Sequence, residues 1–198
     1  MASDLHHLEQ DIWHDLQTAL QEAEHPFRTG TLGTRGLDDF VALRTVVLRK
    51  VDADVRALWC HSDGRAAKVQ ELKHNPVVSW LFWDAERKIQ LRLGGNATLH
   101  RQGEEVDRLW TETSRASRKD YLLPHAPATP LERPEAGTPA HLRGTLPSEE
   151  ESEKGREHFV GIETRIQFID WLQLSREGHR RAQFRYQNGE PHRQWVSP

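Results

Sequence analysis

The sequence predicts a mainly β fold, a closed antiparallel barrel with a few flanking helices. Three observations carry this. Segments rich in β-branched and aromatic residues recur along the chain at 43–51, 77–83, 88–100 and 167–174. Helical patterns do not alternate with them in the βαβ manner of a parallel sheet. A single strong amphipathic pattern, at the N-terminus, precedes all of them.

The elements follow in order. Residues 4–24 form a helix, with Asp4 as its N-cap and Leu5, Leu8, Ile12, Leu16, Ala19, Leu20 and Ala23 at spacings of three and four; His25-Pro26 stops it. Residues 28–34 form a short strand, 43–51 (LRTVVLRKV) a second and 55–60 (VRALWC) a third. Residues 64–75 form a short helix closed by Asn75-Pro76. The nearly continuous apolar run 77–83 (VVSWLFW) reads as a strand buried on both faces. Residues 88–100 alternate around Gly94-Gly95, a bulge or bend. A helix at 104–113 presents Val106, Leu109 and Trp110. Six of the ten prolines fall in 124–147, a long loop or lid. The acidic run 148–154 starts a solvated helix. Strands resume at 158–163, 167–174, 180–186 and 194–196.

Composition bounds the function. The 198 residues and 22.9 kDa suit one domain spanning the chain. The formal net charge of −3 argues against a nucleic-acid binder. One cysteine, Cys60, excludes an intrachain disulfide and a cysteine-based zinc cluster, and no metal site is expected. With no apolar run of membrane-spanning length and no secretory pattern, a cytoplasmic protein without a membrane partner is expected. Of the 27 basic residues, 21 are Arg and 6 Lys. Arg suits bidentate grip on phosphate or carboxylate, although a bias in base composition produces the same count.

Position is more informative than count. Arg44 and Arg49 bracket one strand. Ser62, Arg65 and Lys68 cluster where the next strand turns into a helix. A hydroxyl, a guanidinium, an ammonium and a helix N-terminus on one segment suit a phosphate; an ordinary basic surface turn has the same composition. Walker, dinucleotide-fingerprint, His-Glu-x-x-His and Gly-x-Ser-x-Gly signatures are absent, and no residue is assigned a catalytic role.

The ordered series Arg44-Thr-Val-Val-Leu-Arg49, Ser62-Asp63-Gly64-Arg65-Ala66-Ala67-Lys68, Glu71-Leu72 and Asn75-Pro76 resembles the FMN-binding core of the pyridoxamine 5′-phosphate oxidase family. Arg87-Lys88-Ile89-Gln90, Gly95-Asn96-Ala97, Trp171 and His179-Arg180-Arg181 extend the resemblance over roughly residues 27–196. The Ser-Asp-x-Arg-x-x-Lys form is closer to that family's less characterised FMN-binding relatives than to the biosynthetic oxidase. The resemblance implies an antiparallel split β-barrel that pairs into a homodimer with FMN at the subunit interface. It implies that Arg44, Ser62, Arg65 and Lys68 hold the FMN phosphate and that Arg49 lies near the phosphate and the substrate. Gln90 would bond the polar edge of the flavin ring, and Trp171 and Arg181 would reach the flavin from the partner subunit. It implies an oxidoreductase acting on a small molecule; a non-catalytic FMN carrier or sensor, or a relative using haem or a deazaflavin, are the alternatives. Two departures stand out. Glu177 replaces the family's substrate-phosphate Arg, and His61 stands where the oxidase has an aromatic residue.

Overall fold

The computed structural model describes residues 2–186 and 191–198. Its nine strands form one antiparallel sheet in the order β2-β1-β5-β6-β7-β4-β3, with β8 pairing β7 and β9 pairing β8. The strands are β1 (Thr29–Arg35), β2 (Val41–Val47), β3 (Lys50–Asp52), β4 (Ala57–Asp63), β5 (Val77–Asp84), β6 (Ile89–His100), β7 (Phe159–Gln173), β8 (Arg180–Arg185) and β9 (His192–Val196). The helices are α1 (Ala2–Thr18), α2 (Ala67–His74), α3 (Glu104–Glu112), α4 (Arg115–Arg118) and α5 (Glu149–Glu153). The sheet curls into a split barrel.

Strand β7 organises the curl. One edge pairs with β6 along nearly its whole length, while the other is shared: residues 159–165 pair with β4 and 168–173 with β8. The register with β6 shifts between Gly94 and Gly95. A Cβ on Gly95 would lie 2.0 Å from the Arg165 carbonyl oxygen, so only glycine lets the two backbones meet there. The bulge read from the glycine pair is therefore a backbone requirement, and it lets a 12-residue strand bend with the barrel.

Several expected elements are redrawn. The strand expected at 43–51 is two strands. The Leu48 amide donates to the Arg28 carbonyl (2.9 Å) and the Arg49 amide to the Trp59 carbonyl (2.8 Å), so consecutive residues pair with opposite neighbours. The strands expected at 158–163 and 167–174 are the single β7. The first helix starts at Ala2, with Asp4 in its first turn, and ends at Thr18 instead of 24. The Arg28 guanidinium donates to the carbonyls of Ala19 and Leu20, replacing the amides that would have continued the helix.

The interior is one large apolar cluster. Leu32, Leu58, Cys60, Trp80, Phe82, Leu91, Leu93, Ile162, Ile169 and Trp171 fill the barrel, and Leu5, Ile12, Trp13 and Leu16 of α1 cover one side. Trp80 keeps its indole N–H satisfied by donating to Thr164 Oγ1 (3.1 Å). A smaller cluster of Trp59, Val106, Leu109, Trp110, Tyr121 and Phe159 seats α3 on the far face of β4.

The largest correction concerns β5. It is not buried on both faces. Val78, Trp80 and Phe82 point into the barrel, while Val77 (57% exposed), Leu81 (39%) and Trp83 (43%) point outward. Leu37, Phe40, Val41 and Leu43 on and beside β2 are exposed with them. A nearly continuous apolar run thus marks a two-sided strand whose second apolar face is uncovered in the single chain.

Candidate functional site

The end of β4, the start of α2 and the facing ends of β1 and β2 meet at one rim of the barrel. Alternation along β4 sends Leu58 and Cys60 into the barrel and Trp59 toward α3. Ser62 follows at the rim, where Asn75-Pro76 ends α2 so that the chain can return as β5.

Lys68 donates to Ser62 Oγ at 3.2 Å, and no carboxylate lies within ion-pair distance of it among the described residues. Burial pulls its ammonium below the ordinary lysine range, and the neighbouring Arg44 charge adds to this. Arg44 is part-buried and preset. Its Nη2 donates to Glu71 Oε2 (2.8 Å), its Nη1 donates to Thr34 Oγ1, and Thr34 donates in turn to Glu71 (2.5 Å). The sequence marks Glu71, one helical turn beyond Lys68, only as part of the motif. Its role as the carboxylate orienting Arg44 is visible only once β1, β2 and α2 are assembled.

Cys60 lies at the centre of this group. Burial raises its thiol to about 12 against the opposing charges of Lys68, Arg44 and Arg49, so it is a thiol at neutral pH. His61 points the other way. It packs edge-on against Phe159 (4.7 Å), and its Nε2 is buried without a hydrogen-bond partner. Burial, with Arg49 adding to it, lowers the imidazole to about 4.

The remaining expected residues divide. Arg65 is engaged elsewhere. It forms a two-pronged ion pair with Asp63 (2.7 Å) and donates to the Leu123 carbonyl (3.0 Å), tying the β4–α2 turn to the start of the Pro-rich loop. Against the upward push of burial, Arg65 holds the Asp63 carboxyl below its usual range. Arg49, at the break between β2 and β3, has no side-chain hydrogen bond or ion pair among the described residues. Gln90 faces outward on β6, opposite Trp83 and Leu172. Trp171 is 5% exposed within the chain's own core, edge-on to Trp195, so its neighbours on β7 and β8 form the surface there. Arg181 is on that surface, paired with Asp170 (2.8 Å) beside Gln183. Glu177 lies in the exposed β7–β8 turn, where the Ser175 amide donates to His179 Nδ1 (3.1 Å).

An open groove of about 750 Å³ runs over the outer face of β1, β5 and β6. Thr34, the partner of Arg44 and Glu71, lines one end; Gln90 and Arg92 line the other, with Leu43, Ser79 and Leu81 between. The register fixes this order, because Thr34 lies opposite Val78 whereas Gln90 lies opposite Trp83. The groove therefore runs along an apolar floor from Thr34, the hydroxyl that bonds Arg44 and Glu71, to Gln90, an amide that both donates and accepts.

Residues 10–101 match the family model described as the pyridoxamine 5′-phosphate oxidase FMN-binding domain. That span contains Arg44, Arg49, Ser62, Arg65, Lys68 and Gln90. Over that span, just under half of the chain, the sequence is similar to the pyridoxamine 5′-phosphate oxidase family. A segment of 66 residues is 39% identical to the pyridoxine/pyridoxamine 5′-phosphate oxidase of Thermosynechococcus vestitus, covering 33% of this chain and 30% of that relative. Among solved structures, the fold is similar to a pyridoxamine 5′-phosphate oxidase-related, FMN-binding protein of Nostoc punctiforme, with a TM-score of 0.75, 21% identity and 96% of each chain covered. It is also similar to PhzG of Burkholderia lata, solved with tetrahydrophenazine-1-carboxylic acid, with a TM-score of 0.70, 17% identity and coverage of 96% of this chain and 91% of that one. At these identities the structural likeness establishes the split-barrel fold. Trp171 and Arg181 lie outside the span matched by the family model.

Proposed function

We propose that this chain is an FMN-binding oxidoreductase acting on a small molecule, and that it works as a homodimer. The observation that carries the reading is the part-buried Lys68–Ser62 pair beside the preset Arg44, whose partner Thr34 lines one end of a groove that carries Gln90 at the other.

The residues fit the group. A phosphate needs charge-assisted donors, and Lys68 is a half-buried ammonium whose one hydrogen-bond partner among the described residues is a hydroxyl. Arg44 supplies a second cation, with Glu71 and Thr34 fixing its orientation. Arg49 is a third, unpaired among the described residues. Arg65, engaged by Asp63 and Leu123, contributes to the shape of the turn. Gln90 would meet the polar edge of the ring, and the apolar floor would cover its face.

FMN, when bound, supplies a reversible two-electron redox centre, accepting hydride from a C–H beside an amine and passing the electrons to oxygen in the oxidase reaction of the family. This chain's contribution is to hold the phosphate, orient the ring and exclude water from it. The uncovered apolar residues of β2 and β5 support the dimer, since a partner laid on them would close the groove and bring Arg181 toward the opposite site.

The test is spectroscopic. Purified protein is expected to carry flavin absorbance or to quench added FMN saturably. Colourless protein that leaves FMN fluorescence unchanged would overturn the reading.

A further inference from the structure

Arg92 lines the outer-face groove at the Gln90 end. The two residues lie on one face of β6, two positions apart and so about 7 Å along the strand. The register sets Arg92 between Leu81 of β5, on the groove floor, and Asp170 of β7. Asp170 is 1% exposed, and its carboxylate is already occupied. Arg181 donates to both of its oxygens (3.0 and 2.8 Å), and Gln183 Nε2 adds a third bond at 3.1 Å. Against the upward push of burial, these bonds and the charges of Arg181 and Arg92 hold the Asp170 carboxyl below its usual range. Arg92 itself is exposed and has no hydrogen bond or ion pair among the described residues.

The charges along the groove leave this cation over. Of the charged residues that line it, Arg35 and Asp39 pair with each other (2.6 Å), and Arg92 is the third. Beside Arg92, Arg181 and Asp170 cancel, and Arg185, over the Phe168 ring, adds the same sign as Arg92. At the far end Arg44 is balanced by Glu71, and Lys68 is the cation assigned to the phosphate. We propose that Arg92 tunes the flavin: its charge favours the reduced ring over the oxidised one and so raises the potential of bound FMN. Hydride transfer brings two electrons and one proton, so the ring gains one negative charge. A fixed cation beside its polar edge stabilises that form selectively, whereas the neutral Gln90 orients the edge without shifting the balance. Arg181 contributes less, because Asp170 neutralises it. This assignment rests on the FMN reading of the groove and adds to it the residue that sets the redox balance.

FMN titration of the full chain, followed by reductive titration of the holoprotein against a reference dye, tests it. Together these give the affinities for oxidised and reduced FMN. R92Q is expected to shift their ratio about tenfold or more toward oxidised FMN, which lowers the two-electron potential by about 30 mV. R92K keeps the charge and is expected to stay near the parent. D170N removes the opposing carboxylate and is expected to raise the potential. An unchanged potential in R92Q, an equal loss of affinity for both forms, an R92K as low as R92Q, or a D170N shifted downward would overturn the proposal. The two readings fail separately. Protein that takes up no FMN would remove the cofactor reading and this inference with it, whereas FMN uptake with an unchanged R92Q potential would remove this inference alone.

Discussion

At the scale of single residues, the site is a matter of which charges are already paired. Arg44, Arg65 and Arg181 each have a carboxylate partner within the chain, whereas Lys68 and Arg49 have none among the described residues. The family resemblance puts Arg44, Arg49, Arg65 and Lys68 near the FMN phosphate and Arg181 at the flavin, but the sequence does not separate the paired from the unpaired. The partners Glu71 and Asp170 lie 27 and 11 residues away from Arg44 and Arg181, and only the assembled sheet brings them together. His61 carries the prediction at this scale. Its folded value of about 4 lies below the 6.5 of an unfolded histidine, so between those values the unfolded chain binds more protons. Stability should therefore be fully present above pH 6.5 and fall as the pH drops toward 4. Urea denaturation at pH 7 and pH 5 is expected to show this loss in the parent and a smaller one in H61Q; equal losses would remove His61 as the cause.

At the scale of elements, the acidic run is the instructive case. The sequence reads it as a solvated helix start, and Ser148 does cap α5 by accepting from the Glu151 amide. Yet Glu149 and Glu153 hold Arg118, 5% exposed, whose guanidinium also donates to the Trp110 and Thr111 carbonyls and lies over the Trp110 ring. This cluster fastens α3 and α4 to α5 and pins both ends of the Pro-rich segment between them. The charge run was legible; its partner was not, because a lone arginine 31 residues earlier carries no local mark of burial. R118M, which keeps the stem and removes the donors, is expected to cost about 3 kcal/mol in chemical denaturation, because it leaves carbonyls and an indole-bound carboxylate short of a donor. It should also speed hydrogen exchange in α3 and α5 ahead of β4 to β7. A change under about 0.5 kcal/mol would reduce the cluster to a surface contact.

At the scale of the whole molecule, period and breaker signals placed the strands, the glycine bulge and the proline-terminated α2, because those features depend on neighbours within a few residues. The misreadings depend on distant ones. The break at Leu48-Arg49 comes from strands on opposite sides competing for adjacent amides. The apparent double burial of β5 comes from a second apolar face that this chain alone leaves open. If that face is the dimer interface, L43E combined with L81E is expected to convert a dimer to a monomer in light scattering after size exclusion, with the far-ultraviolet circular dichroism unchanged. An unchanged mass would place the interface elsewhere. The central claim, however, is that the rim of the barrel binds a flavin through its phosphate. Parallel titrations of the parent and of K68A with FMN and with riboflavin, which lacks the phosphate, test it most directly. The parent is expected to prefer FMN, and K68A to lose about 10- to 100-fold of its FMN affinity while its riboflavin affinity stays nearly constant. Equal loss for both flavins, or no loss for either, would contradict it.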